Sequence, residues 1–191
     1  DGGAGRHEGS VTPALGGGRQ ARYQRTLPED PMRELEVAVQ AARQAGEAVR
    51  AIYQAQDFTV TQKGDKGPLT EADLEANRIL HQVLQQAFPG DPILSEETTD
   101  HPRRLESRRV WIIDPVDGTR EFTMGIPEFC VSVGFVQDGQ AVAGALFNPA
   151  TGELVSGARG LGTTMDGQAA TVTAVSEASS THTVPELFHT T

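Results

Sequence analysis

An α+β fold, two helices packed on a largely antiparallel sheet, is predicted by three features of the sequence. Apolar residues recur at helical spacing over two early stretches, 33–56 and 70–87. From residue 110 onward they gather instead into short runs rich in Val, Ile and Phe. Those runs are separated by Asp-Gly, Asn-Pro and Gly-rich turn signals with no helical pattern between them, which predicts a meander rather than βαβ units.

The first 31 residues carry seven glycines, four arginines and four acids, with neither an apolar h-region nor any periodicity. They are expected to be a disordered tail, not a signal peptide, with a native start at Met32. The folded domain is expected over 32–171. Its first helix, 33–56, sets Leu35, Val39, Ala42, Ala45, Val49 and Ile52 on one face, with Asp30 and Pro31 in cap and first-turn roles. A strand over 57–61 and a mobile turn, Lys63-Gly64-Asp65-Lys66-Gly67-Pro68, follow; such a loop could close over a site. Thr70 and Asp73 match a capping box opening the second helix, whose buried face is read as Leu74, Ile79, Leu80, Val83, Leu84 and Ala87.

A short apolar run, Ile93-Leu94, then ends in Ser95-Glu96-Glu97. The basic stretch 101–105, with Arg108 and Arg109, reads as a solvated loop. Val110-Trp111-Ile112-Ile113 is a buried strand. Strands at 129–136 and 142–147 are joined through Asp138-Gly139, a strong hairpin signal, and shorter strands are expected at 153–156 and 161–165. Beyond 171 the pattern dissolves into Ser, Thr and Ala, an irregular tail over 172–191.

Overall there are 16 basic and 26 acidic residues. The first 31 residues hold four of each, so 12 basic against 22 acidic residues remain and the net charge of −10 belongs to the body. A nucleic-acid groove is thereby disfavoured, and no apolar run is long enough to cross a bilayer. The single cysteine, Cys130, lies in an apolar run; no intrachain disulfide or thiolate cluster can form. A buried, reduced thiol suits a cytoplasmic protein.

Chemistry concentrates at Asp114-Pro115-Val116-Asp117-Gly118-Thr119. Two carboxylates close a probable strand, and Asp-Gly-Thr leads into a helix start. That arrangement offers hard oxygen ligands to Mg²⁺ and backbone N–H groups to a phosphate. Asp, Pro and Gly are also what a tight strand-to-helix turn prefers. Asp73 likewise has a purely structural reading as a helix cap. The acidic company upstream, Asp73 and Glu96-Glu97, favours the metal reading. The glycines of 157–162 match no dinucleotide or P-loop fingerprint, and the histidines are scattered.

Those motifs, in their order and spacing over about residues 33 to 165, resemble the inositol monophosphatase superfamily of Mg²⁺-dependent, lithium-sensitive phosphatases. The resemblance implies the N-terminal half of a layered α/β sandwich, and hydrolysis of a small phosphorylated metabolite by metal-activated water. It implies two or three Mg²⁺ ions. Glu96, Asp114 and the Val116 carbonyl would hold one metal, with Asp114 bridging to a second held by Asp117. Gly118 and Thr119 amides would face the phosphate, and the Thr119 hydroxyl, paired with Asp73, would orient the attacking water. Glu97 would support the site from behind or face solvent. Arg120-Glu121-Phe122 resembles the bisphosphate nucleotidase branch, which removes the 3′-phosphate of 3′-phosphoadenosine 5′-phosphate; inositol 1-phosphate is the alternative.

In that family a C-terminal half follows, carrying a Trp-Asp motif that completes the second metal site. The only tryptophan here, Trp111, is already placed. A truncated, non-catalytic chain is therefore the other expectation, and an exposed packing surface would favour self-association, a homodimer included. Haloacid-dehalogenase phosphatases also end their motif in Asp-Gly-Thr, but their two aspartates stand two residues apart, whereas here they stand three apart.

Overall fold

The computed structural model describes residues 31–62 and 68–171. Of the expected tail over 1–31 and the expected mobile turn over 63–68, residues 1–30 and 63–67 lie outside the described residues, as does the tail at 172–191, whereas Pro31 opens a helix and Pro68 a strand. Helix α1 (Pro31–Ala55) begins with Pro at its first position, where the missing N–H has no helical partner to lose. Strands β1 (Val60–Gln62) and β2 (Pro68–Thr70) pair antiparallel, and β2 runs directly into α2 (Glu71–Ala87). The strand read over 57–61 is thus displaced, with only Val60 and Thr61 of it paired.

The remaining strands form one seven-stranded sheet: β3 (Ile93–Ser95), β4 (Arg109–Asp117), β5 (Cys130–Gln137), β6 (Gln140–Phe147), β7 (Leu154–Ala158), β8 (Gly162–Met165) and β9 (Gln168–Ala169), in that order across the sheet. Every pairing is antiparallel except β3 with β4. A five-residue helix, α3 (Thr119–Thr123), follows β4 immediately. The two long helices cover one face of the sheet, α1 across β5, β6 and β7, and α2 over β4.

Helix α1 lies closer to the sheet than its Leu and Val positions suggest. Its fully buried residues are Ala38, Ala41, Ala42, Ala45, Gly46 and Val49, together with Glu34, whereas Leu35, Val39 and Ile52 flank the contact. Close approach requires small side chains, and a Cβ built on Gly46 would stand 2.1 Å from the Phe147 ring. That ring is buried in the core and cannot swing aside. Gly46→Ala is expected to destabilise the fold by about 1–3 kcal/mol despite alanine's better helix propensity, measured as a shift in the urea midpoint.

Three further readings of the sequence are corrected here; in the strand read as buried over 110–113, Ile112 is 43% exposed, because alternate strand residues face away from the helices. Leu74, expected on the buried face of α2, is 52% exposed. Its neighbour Asp73 takes the inward direction instead, and one residue is about 100° on a helix. Arg109, read as part of a solvated basic stretch, is half-buried. It pairs with Glu34 at 2.9 Å and Asp91 at 3.0 Å, while its guanidinium lies over the Phe88 and Phe135 rings. The Glu34 pair ties the start of α1 to β4, and Trp111 Nε1 donates to the same Asp91. The other arginines fit the loop reading: Arg104 pairs with Asp100, and Arg108 with Asp138 across the hairpin.

Candidate metal and phosphate site

The parallel pair β3 and β4 brings two chain segments out of the sheet at the same end, so Glu96, just past β3, arrives beside Asp114 near the end of β4. Side chains three apart on a regular strand point to opposite faces. Here the β4–β5 register shifts: Asp114 pairs with Ser132 and Asp117 with Cys130, three steps on one strand against two on the other. This bulge turns the carboxylates of Asp114 and Asp117 toward one side. A cleft of about 340 Å³ at this end is lined by Ser95, Glu96, Asp114 and Ser132, with Leu94, Ile112 and Ile113 as its apolar wall.

The charges act on one another. Burial, then the negative charges of Glu96 and Asp117, raises the Asp114 carboxyl to about 7, and a hydrogen bond links it to Glu96. Two carboxyl groups share a hydrogen bond only when one keeps a proton. The Cys130 thiol is pushed up to about 11 by burial and by the charges of Asp117 and Asp114, which makes it inert and marks the same negative potential. Among the described residues, no three carboxylate, imidazole or thiol side chains already surround a single point as an ion would require. Glu96 and Asp117 are both exposed, whereas Asp114 between them is half-buried.

Beside the acids stands a second group. Asp73, 1% exposed, accepts from the Thr70 N–H at 2.8 Å and the Thr70 hydroxyl at 2.7 Å through one oxygen. Its other oxygen lies 3.0 Å from the Thr119 hydroxyl. The two oxygens of Asp73 thus serve the helix cap and a hydrogen bond from Thr119 at the same time. The Thr119 hydroxyl also lies 2.9 Å from the Val116 carbonyl oxygen. Gly118 precedes it with φ +93°, and no side chain caps the first turn of α3. The N–H groups of that turn are left for another acceptor.

Behind α3 an aromatic cluster fixes the segment: Phe122 packs on Tyr53, Phe58 and Phe129, and the Tyr53 hydroxyl donates to the Gly125 carbonyl at 2.7 Å. Two site residues escaped the sequence reading. Ser132 lines the cleft opposite Asp114, and Asn77 accepts from Ser95 at 2.7 Å. Asn77 had a signal, four residues beyond Asp73 on α2; Ser132 had none, because only the β4–β5 pairing sets it opposite Asp114. A larger concavity of about 700 Å³ on the same sheet face is floored by Gly134, Gly144 and Gly157 and carries no carboxylate.

The sequence profile of the inositol monophosphatase family matches residues 30–190. The chain is 35% identical over 151 residues to a histidinol-phosphatase of Chlorobaculum parvum, covering 79% of this chain and 58% of that protein. It is 40% identical over 133 residues to an inositol-1-monophosphatase of Mesorhizobium japonicum, covering 69% and 50%. It is 39% identical over 130 residues to the 3′(2′),5′-bisphosphate nucleotidase CysQ of Aggregatibacter actinomycetemcomitans, covering 67% and 48%. The crystal structure of the extragenic suppressor protein suhB from Bartonella henselae superposes with a TM-score of 0.69 at 34% identity, covering 74% of this chain and 55% of that one. The chain thus spans about half the length of the relatives it matches.

Proposed function

The chain belongs to the inositol monophosphatase family, and on that premise we propose that it carries the N-terminal part of a Mg²⁺-dependent phosphomonoesterase that removes the 3′-phosphate of 3′-phosphoadenosine 5′-phosphate. The observation that carries the metal reading is the gathering of Glu96, Asp114 and Asp117 where β3 and β4 end side by side, with Asp114 half-buried between the other two acids. Three carboxylates set near each other repel and retain a proton, and a divalent cation replaces both proton and repulsion. The donors are all oxygen and few, which suits an ion that keeps several of its waters.

Glu96, Asp114, Asp117 and the Val116 carbonyl would hold the metal. Bound Mg²⁺ neutralises phosphoryl oxygens and lowers the pKa of coordinated water, which a phosphomonoester needs because its uncatalysed hydrolysis is among the slowest known. The protein's own groups do the rest. With the Val116 carbonyl among the groups that would hold the metal, the Thr119 hydroxyl would donate to Asp73, leaving its lone pairs to accept from a water. Asp73 is held by Thr70, so the acceptor for Thr119 stands in place before substrate arrives. Gly118 and Thr119 offer their amides to the phosphate.

The nucleotide substrate is favoured by Arg120-Glu121-Phe122, which sets an exposed cation on the first turn of α3, directly beside Thr119. The 40% identity to an inositol-1-monophosphatase supports inositol 1-phosphate as the second reading. Among the described residues no helix is long and apolar enough to cross a membrane.

The test is phosphate release from 3′-phosphoadenosine 5′-phosphate, inositol 1-phosphate and histidinol phosphate, by the 191-residue chain and by one extended to its relatives' length. The extended chain is expected to prefer the nucleotide by at least about tenfold in kcat/KM and to be inhibited by lithium. The 191-residue chain is expected to turn over poorly. A preference for inositol 1-phosphate installs the second reading, and no metal-dependent release from any of the three removes both.

A further inference from the structure

Helix α2 turns two polar side chains toward the site, Asp73 and Asn77, and residues at i and i+4 stand one above the other on a helix. Each holds a different limb of the site. Asp73 holds Thr119 at 3.0 Å, and Asn77 Oδ1 accepts from the Ser95 hydroxyl at 2.7 Å. The Ser95 oxygen in turn accepts the Glu97 backbone N–H at 3.1 Å. Ser95 is 5% exposed, and its single proton is committed to Asn77, so its lone pairs are aimed at the backbone that follows Glu96.

The position of that backbone matters because β3 is a three-residue edge strand whose ladder ends with Ser95 opposite Ile113. Glu96 stands one residue past the last cross-strand pair. The Asn77–Ser95–Glu97 chain continues the restraint beyond the ladder.

We propose that Asn77 is a positioning residue: through Ser95 it sets the backbone carrying Glu96, and hence how well the Glu96 and Asp114 carboxyl groups are placed for Mg²⁺. Asp73 and Asn77 together make one turn of α2 the spacer between the Glu96 limb and the Thr119 limb. The inference rests on the metal reading of these carboxyl groups.

The test is the rise in Tm of the 191-residue chain with Mg²⁺, titrated to saturation for the unsubstituted protein and for N77A, N77D, S95A and N77A/S95A. N77A is expected to raise the Mg²⁺ midpoint about 10- to 100-fold, the size of effect seen when an outer support of a metal ligand is lost. N77D keeps an acceptor and is expected to stay within about threefold of the unsubstituted chain. S95A should match N77A, and the double variant should add nothing to S95A, because one chain is cut at either link.

A residue that merely packs α2 would lower the metal-free Tm and leave the midpoint in place. That result, or N77D indistinguishable from N77A, overturns the proposal. Should N77A not fold, S95A with an unchanged midpoint overturns it equally. An unsubstituted chain whose Tm ignores Mg²⁺ brings down the metal reading itself, whereas a clear shift that is the same in every variant sinks only the role of Asn77.

Discussion

Replacing Asp114 by asparagine is expected to lower phosphate release by the extended chain at least about 1,000-fold, equivalent to about 4 kcal/mol of lost transition-state stabilisation. Asp114 lies between Glu96 and Asp117, and its carboxyl is the one pushed to about 7. Asparagine keeps its shape and one oxygen but removes the charge that would hold a bridging cation. The same substitution should act in the opposite direction on the metal-free fold. With a folded pKa above its unfolded one, Asp114 binds a proton in the native state that the unfolded chain has already released. Its contribution is therefore fully present below about pH 4 and is lost as the pH rises toward about 7.

Thermal denaturation in EDTA should accordingly show the unsubstituted chain losing Tm from pH 5 to pH 8, and Asp114→Asn losing less. Saturating Mg²⁺ at pH 8 should restore the unsubstituted chain and leave the variant where it was. If the variant retains most of the turnover, or the Mg²⁺ response survives in it, Asp114 does not hold the ion.

Much of this molecule could be read before its coordinates, and the parts that could not share a physical cause. Helical periodicity placed α1 and α2, and Asp138-Gly139 placed the β5–β6 turn, because those signals are local. The order of Thr70-Glu71-Ala72-Asp73, Ser95-Glu96-Glu97 and Asp114 through Thr119 pointed to one constellation, and the structure brings Asp73 to Thr119 and Glu96 to Asp114. What stayed hidden depends on partners far along the chain. Leu74 is exposed because Asp73 needs the interior to reach a residue 46 positions away. Arg109 leaves the solvent because Glu34, 75 positions earlier, meets it under two aromatic rings. The bulge that gives Asp114 and Asp117 a common side is a property of the β4–β5 register, and within β4 only Pro115, which cannot donate to a ladder, signals it.

Gly118→Ala is expected to destabilise the fold by about 3 kcal/mol, whereas Gly125→Ala should cost about 1 kcal/mol. Both glycines have positive φ, +93° and +74°, so alanine meets the left-handed penalty at either position. They differ in space. A Cβ on Gly125 meets nothing within 4 Å, but one on Gly118 stands 2.8 Å from the Glu128 carbonyl oxygen and 3.1 Å from Phe129 Cα. Those are backbone atoms leading into β5. The segment is pinned, since Asn148 donates to the Pro127 carbonyl at 2.9 Å and Phe129 is buried against Phe122. Relief must come from the Gly118–Thr119 side, and a shift there moves the Thr119 hydroxyl off Asp73.

Gly118→Ala should therefore lose stability and turnover together, unlike Asp114→Asn, which trades one for the other. Urea denaturation of the two glycine variants measures the difference directly. Equal losses would mean that the Glu128 carbonyl yields, and that the tight approach at Gly118 has no part in holding the Asp-Gly-Thr turn against β5.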